Sequence, residues 1–410
     1  MPDSVSGSDG GNEVVVLSAK RTPIGRFLGV FKDLSAPDLG ATAAKAALEA
    51  ADVRADQVDL AIFGCARQAG VRPNPARQAA LKAEVPVDRP AYTVNMACAS
   101  GLQSIALGAQ AIRAGEAEVV LVGGMESMSR VPHLLPRLRD GVASGPIDVL
   151  DAMYVDGFLC PLCHLVMGET VEDLAGERKI ERARADEYAA RSQQRCEESR
   201  REGRYIHEIA PVQVTAGKGK ARSAKLVLWD EHPRDGVTPE SLAKLQSAFR
   251  KGGQVTPGNS SGITDGAAAL VLASSHWAYT RAYLPLARLG PAVAAGVEPA
   301  RMGVGPVPAV RKLWERAGRG AKDYDLVELN EAFAAQVLAC VDELELDESR
   351  LNVNGGAIAL GHPIGCTGAR IVVTLLHELA RRGAKRGLAT LCVSGGMGMA
   401  LEVENLKAKR

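Results

Sequence analysis

Consecutive apolar runs alternate with amphipathic helical stripes along most of this chain. Residues 13–18 (EVVVLS) predict a buried strand, and the alanine-rich stretch 38–51 predicts a helix. A second strand follows at 58–63 (VDLAIF), a helix at 74–83 and a third strand at 91–95. Leu102, Ile105, Ala109 and Ile112 recur at helical spacing, Gly115 ends that helix, and 119–122 returns as a strand followed by Gly-Gly-Met. This order predicts an α/β protein with a mostly parallel sheet covered by helices.

The same order returns after residue 286, which reads as an internal repeat. The segment 325–329 (DLVEL) answers 58–63, and 351–354 (LNVN) answers 93–95 (TVN). A helix at 366–382 answers the one from Leu102, and 388–393 followed by Gly-Gly-Met answers 119–122 followed by Gly-Gly-Met. In the second half that tripeptide runs straight into a last strand, 399–403. In the first half the comparable strand, 267–274, waits until after residue 262. The intervening 128–263 therefore reads as an insertion, charge-rich, with one clear helix at 184–202 and a basic turn of Lys218, Lys220 and Arg222.

Composition narrows the function classes. The chain has 410 residues, 46% of them hydrophobic, enough for a large core. With 49 basic and 48 acidic residues the net charge is +1, so no global field draws it to nucleic acid or a membrane surface, and an anionic ligand must be held locally. No apolar run approaches the roughly 20 residues of a membrane-spanning helix. The first twelve residues, MPDSVSGSDGGN, lack the pattern of a transit or secretory signal and read as a disordered tail. Eight irregularly spaced cysteines do not form a disulfide framework, so a reducing cytoplasm is expected.

Two cysteines in small-residue, glycine-rich settings carry the candidate chemistry. Cys98 stands between a predicted strand and a helix starting near Ser100, where backbone N–H groups and the helix dipole favour a thiolate and predict a lowered pKa. An isolated cysteine would read as a small buried hydrophobe, but Ala97, Ala99, Ser100 and Gly101 leave space for a substrate. Cys392 ends a predicted strand just before Ser-Gly-Gly-Met-Gly. His362 precedes Pro363, which pushes its backbone towards an extended conformation, within a dense group of glycines. Asn330 ends the strand 325–329 at the carboxyl edge, where open α/β sheets place ligands, and also reads as a helix N-cap. Cys160-Pro-Leu-Cys163-His164 has the spacing of covalent haem attachment or of half a metal site. No second ligand pair lies at zinc spacing, and no metal is expected.

Six segments, VNMACASGL (94–102), MGETVEDLA (167–175), VTPGNSSGITDGAA (255–268), NEAFAAQ (330–336), NVNGGAIALGHPIGCTGAR (352–370) and CVSGGMG (392–398), make the chain resemble the thiolase family over residues 13–405. The resemblance implies a thiolase-like fold of two similar βαβαβαββ halves packed in layers. The first half takes in 13–127 and 264–285, an inserted loop domain 128–263 binds CoA and covers the site, and 286–410 forms the second half. The activity implied is a reversible Claisen condensation of acyl-CoA through an acyl-cysteine. No cofactor is permanently bound; CoA and acyl-CoA are the substrates, and the assembly is a homodimer or homotetramer.

By the same resemblance Cys98 is the acylated nucleophile, and His362 activates it and donates to the thioester oxygen. Asn330 fixes a water that completes this first oxyanion hole. Cys392 is the acid/base, and the backbone N–H groups of Cys98 and Ser394 form a second oxyanion hole. Ser261 meets the pantetheine amide, Arg234 and Ser241 lie near the adenosine portion, Met167 and Met302 supply apolar lining, and Phe333 packs beside the acyl group. Three residues depart from the family pattern: Ser394 replaces a glycine and is expected to tolerate positive φ poorly, Val166 stands where relatives place a histidine, and Pro257 where alanine is usual. Two alternatives remain, a decarboxylating ketoacyl synthase, which would carry a second histidine in place of Cys392, and a non-catalytic acyl-CoA- or lipid-binding protein of the same fold.

Overall fold

A computed structural model describes residues 13–142, 144–216 and 223–408. The polar tail at 1–12 and the basic turn at 218–222 lie outside the described residues. The first half contains β1 (Val14–Arg21), α1 (Ala36–Ala51), β2 (Leu60–Gly64), α2 (Pro75–Lys82), β3 (Ala91–Val94), α3 (Ser100–Arg113) and β4 (Val119–Ser127). A long excursion with α4 (Met167–Glu177) and α5 (Arg182–Arg201) precedes β5 (Thr264–Ser274). The second half contains β6 (Ala287–Gly296), α6 (Pro306–Ala317), β7 (Leu326–Leu329), α7 (Ala334–Leu344), α8 (Ile364–Arg382), β8 (Arg386–Val393) and β9 (Met397–Asn405). Local chemistry sets several of these bounds. Ser35 and Asp38 form a reciprocal capping box at the start of α1, and the Asn74 side chain accepts from the Arg77 N–H to start α2.

The strands run in the order β7-β8-β9-β6-β1-β5-β4-β2-β3, so the two halves repeat one arrangement on either side of the β6/β1 junction. That junction is slight, with only Val15 facing Arg288 and Val16 facing Ala287. The apolar residues form layers. Leu102 and Ile105 of α3, with Ile371 and Leu375 of α8, pack between Val122 and Leu272 of one half and Leu391 and Leu401 of the other. Leu39 and Leu48 of α1, with Ala79 of α2, cover the first half from outside; Val310, Leu313, Val337 and Leu338 of α6 and α7 cover the second.

The expectation of a mostly parallel sheet is corrected. The β2–β3, β2–β4 and β7–β8 pairings are parallel, and the five other pairings in this order are antiparallel. The cause is the last strand of each half. β8 turns into β9 through Gly395 and Gly396, at φ 86° and 85°, and so tight a connection joins only antiparallel strands. β5 takes the equivalent place beside β4 after its long detour. A second correction concerns 351–354, where only Leu351 bridges Val327. Asn352 leaves the extended region at φ 44°, and its side-chain amide replaces a ladder: the Leu329 N–H donates to its Oδ1 at 3.0 Å, and its Nδ2 donates to the Leu329 carbonyl at 2.8 Å. The sequence reading named no segment for the opening strand β6, in which Gly290 and Pro291 disfavour a ladder. A register shift between Leu289 and Ala292 accommodates them.

Helices α3 and α8 touch back to back at glycines. A Cβ on Gly101 would lie 2.7 Å from the Ala369 nitrogen, and one on Gly368 would collide with the Leu102 nitrogen. The excursion is bolted to β1 by a buried cluster in which Arg21 Nε donates to Glu208 at 2.6 Å and Nη1 donates to Asp230 at 2.7 Å.

Candidate active site

The N-terminal ends of α3 and α8 point into a cavity of about 420 Å³, lined by Cys98, His362, Cys392 and Ser394 together with Met167, Ser261, Met302 and Phe333. A larger surface hollow of about 670 Å³ along 135–140 is lined by Leu135, Arg137, Leu138, Arg139 and Asp140 and contains none of the cysteines or histidines. Val166 and Pro257, two of the departures from the family pattern, also line the reactive cavity. Arg234 and Ser241 do not. Both are exposed, the Arg234 N–H donating to Gln193 and Ser241 capping the short helix Pro239–Ala243 with Thr238.

Cys98 is half-buried and follows Ala97, whose φ of 45° turns the chain sharply from β3 into α3. The Ala97 N–H donates to the Asn95 side chain at 3.0 Å, which holds that turn. The lowered pKa expected for Cys98 is corrected: burial pushes the thiol up, only partly offset by the Ser394 N–H that donates to its sulfur and by the Arg67 charge. Cys392, at the end of β8, is pushed well above its ordinary value by burial, then by Cys98 and Cys340. Desolvation therefore outweighs the helix terminus at Cys98 and dominates at Cys392, and both rest as thiols.

His362 is 7% exposed. Its Nδ1 lies 2.6 Å from the Thr367 hydroxyl, which donates its own proton to the Pro363 carbonyl at 3.0 Å. Since that proton is spent, Nδ1 must carry the imidazole hydrogen, and this pattern assigns a bare, proton-accepting Nε2. No protein group among the described residues meets Nε2. Burial, then the charges of Arg370 and Arg67, pull the His362 pKa down to about 3, so the ring is neutral at ordinary pH. The arrangement is a neutral thiol beside a neutral base, with proton transfer coupled to attack on a substrate.

Asn330 is 1% exposed, and both its Oδ1 and Nδ2 lack partners among the described residues. The helix-cap reading is corrected, because α7 begins after Phe333 and not after Asn330. A buried amide left open at both ends is the mark of a group kept for a ligand or water. Its strand end is held by the adjacent Glu331, which accepts from Tyr188 at 2.9 Å and Ser192 at 2.7 Å on α5. The concern over Ser394 dissolves, since the positive φ values fall on Gly395 and Gly396.

Cys160 and Cys163 do not line the cavity. They occupy a tight turn in which burial raises the Cys160 pKa, but N–H donors of Cys163, Leu162 and Gly395, with the Cys163 thiol, bring it below its ordinary value. The sequence reading missed Arg67, Glu126 and Thr367. Arg67 lines the cavity, and Glu126 is a buried carboxylate that accepts from the Ala66, Arg67 and Gly365 N–H groups. Arg67 and Asn330 both follow a strand at its carboxyl end, so the rule that flagged Asn330 applied equally to Arg67.

Family models described as the thiolase N-terminal and C-terminal domains match residues 14–276 and 283–405, and the chain belongs to the thiolase family. It is 48% identical over 392 residues to the acetyl-CoA acetyltransferase of Cupriavidus necator, covering 96% of this chain and 99% of that protein. The acetyl-CoA acetyltransferase of Pseudomonas aeruginosa is 48% identical over 389 residues, covering 95% and 98%. Among solved structures, the Bacillus anthracis acetyl-CoA acetyltransferase superposes with a TM-score of 0.93 at 42% identity, covering 97% of this chain and 100% of the other. Human mitochondrial 3-ketoacyl-CoA thiolase in complex with CoA superposes at 0.91 with 43% identity, covering 96% and 98%. The synthase alternative is not favoured, because the second reactive group in the cavity is the thiol of Cys392 and not a histidine.

Proposed function

We propose that this protein catalyses the reversible exchange between two acyl-CoA molecules and a 3-ketoacyl-CoA plus CoA, by a ping-pong route through acyl-Cys98. One observation carries the reading: two thiols and an imidazole with a bare Nε2 line one cavity. Nε2 of His362 takes the Cys98 proton as sulfur attacks the acyl-CoA carbonyl, and CoA leaves. Acetyl-CoA then enters, Cys392 removes its α-proton, and the carbanion attacks the acyl-Cys98 carbonyl to release the ketoacyl product. Charge on the first oxygen is met by His362 and by water on the Asn330 amide, and on the second by the N–H groups of Cys98 and Ser394. In reverse, Cys392 protonates the departing carbanion and CoA accepts the acyl group.

The segment 128–263 serves as the CoA-binding cover between the halves 13–127 with 264–285 and 286–410. Ser261, Met167 and Met302 bound the pantetheine arm, Phe333 the acyl group, and Arg234 and Ser241 the outer adenosine end. The CoA complex of the human relative supports acyl-CoA as substrate. Among the described residues no helix is long and apolar enough to cross a membrane, and the eight cysteines are free, which suits a cytoplasmic enzyme. β3 is an edge strand with Tyr92 40% exposed, a surface suited to a second copy in a homodimer or homotetramer.

Labelled acetyl-CoA tests the scheme. Native protein should retain acetyl label and exchange the α-proton; Cys98→Ser should retain none; Cys392→Ala should retain label but exchange no proton. Normal exchange in Cys392→Ala would refute its role.

A further inference from the structure

Arg67 is a buried cation without a partner. It is 7% exposed, its Nε meets no acceptor, and no ion pair or side-chain hydrogen bond reaches its guanidinium among the described residues. It lines the reactive cavity and carries the one full charge among the described lining residues. The guanidinium lies over Gly157, where a Cβ would approach Nε and Nη2 to 2.7 Å, so this wall is shaped around it. Tyr154, Phe158, Ile263 and Ile364 supply the surrounding surface, which offers no anion. The buried carboxylate of Glu126 is taken up by the Ala66, Arg67 and Gly365 N–H groups at 3.1, 3.2 and 2.9 Å, and acts on Arg67 only through space. Arg67 lines the same cavity as Cys98 and His362, and both of these groups feel its charge.

A buried guanidinium beside the nucleophile that feels Glu126 only through space, with no anion hydrogen-bonded to its fork, is costly unless a ligand supplies that contact. Its planar fork matches the two oxygens of a carboxylate. We propose that Arg67 reads a carboxylate at the far end of the acyl group carried by Cys98, so that the preferred substrate is a short 3-oxoacyl-CoA ending in a carboxylate. This inference rests on the thiolase reaction proposed above. Cleavage follows the same balance: the new S–C bond forms at C3, the C2–C3 bond breaks, and C2 takes its proton from Cys392 to leave as acetyl-CoA.

The test compares CoA-dependent cleavage of 3-oxoadipyl-CoA and 3-oxohexanoyl-CoA, which have equal carbon number and differ in the terminal group. Native enzyme should favour 3-oxoadipyl-CoA in kcat/KM by about tenfold or more, the order expected of a hydrogen bond between charged groups. Arg67→Leu should reverse the preference and Arg67→Lys should keep part of it. A native ratio of one or less overturns the inference, as does an Arg67→Leu variant that loses rate equally on both substrates, the result of a merely structural or general electrostatic role. Acetoacetyl-CoA separates the two claims. If native enzyme does not cleave it, the proposed reaction itself fails; if it does, and no preference appears, only the role of Arg67 fails.

Discussion

The Thr367 hydroxyl oxygen lies 2.6 Å from Nδ1 of His362 and fixes which nitrogen of that ring is free. Thr367→Val keeps the size and removes the acceptor, so the imidazole loses both its orientation and its tautomer. We expect kcat for thiolysis to fall about ten- to a hundredfold, the range seen when a partner that orients a functional imidazole is removed. Thr367→Ser should recover most of it, and equal losses in both variants would show that the hydroxyl does not act through the ring.

Labelling of Cys98 should report a high pKa. Because burial raises this thiol and the His362 ring is neutral down to about pH 3, the resting site holds no thiolate–imidazolium pair. The rate of iodoacetamide capture at Cys98, followed by mass spectrometry, should climb steadily from pH 6 to beyond pH 9. A plateau already reached at pH 6 would contradict the assignment.

Acid should destabilise the protein through its buried histidines. His362 is depressed to about 3 by burial first, and His232 and His377 are lowered for the same first cause. The unfolded chain binds protons near 6.5 while the folded ring stays neutral, so the stability from neutral His362 is complete above pH 6.5 and is lost as pH falls towards 3. His362 contributes a slope of about 1.4 kcal/mol per pH unit in that window. Urea titrations at pH 6.5, 5.5 and 4.5 should give a shallower fall for His362→Gln than for the native chain; parallel curves would contradict this.

Asp230→Ala should be strongly destabilising. It strips one of two carboxylates from Arg21, which is fully buried on β1. Leaving that charge half-compensated should lower unfolding free energy by about 3 kcal/mol, with a clear drop in Tm by calorimetry. A change below about 0.5 kcal/mol, the scale of an ordinary surface substitution, would show that the cluster does not anchor the excursion.

Much of this architecture was legible because its signals are local. Cys98, His362 and Cys392 stand in short segments whose small residues announce a close approach, and the duplicated order of strands marks α3 and α8 as equivalents. What escaped depended on distant partners. Asn330 reads as a cap until α7 is seen to start three residues later, and the strand at 287–296 is hidden by a proline that only a bulge tolerates. Arg67 looks like a loop residue in Gly-Cys-Ala-Arg-Gln, since its lack of a counter-ion is a property of the assembled walls. The helix dipole at Cys98 was a sound local argument, but desolvation there is larger.

The contact of Gly101 with Ala369, and of Gly368 with Leu102, is made by bare main chain. The spacing of the main chain that leads to the nucleophile and to the imidazole is consequently set by two rods in direct apposition. Altering which acyl groups this enzyme accepts is thus a matter of recutting the surrounding walls, at Arg67, Val166 or Pro257, while the reactive trio keeps its spacing.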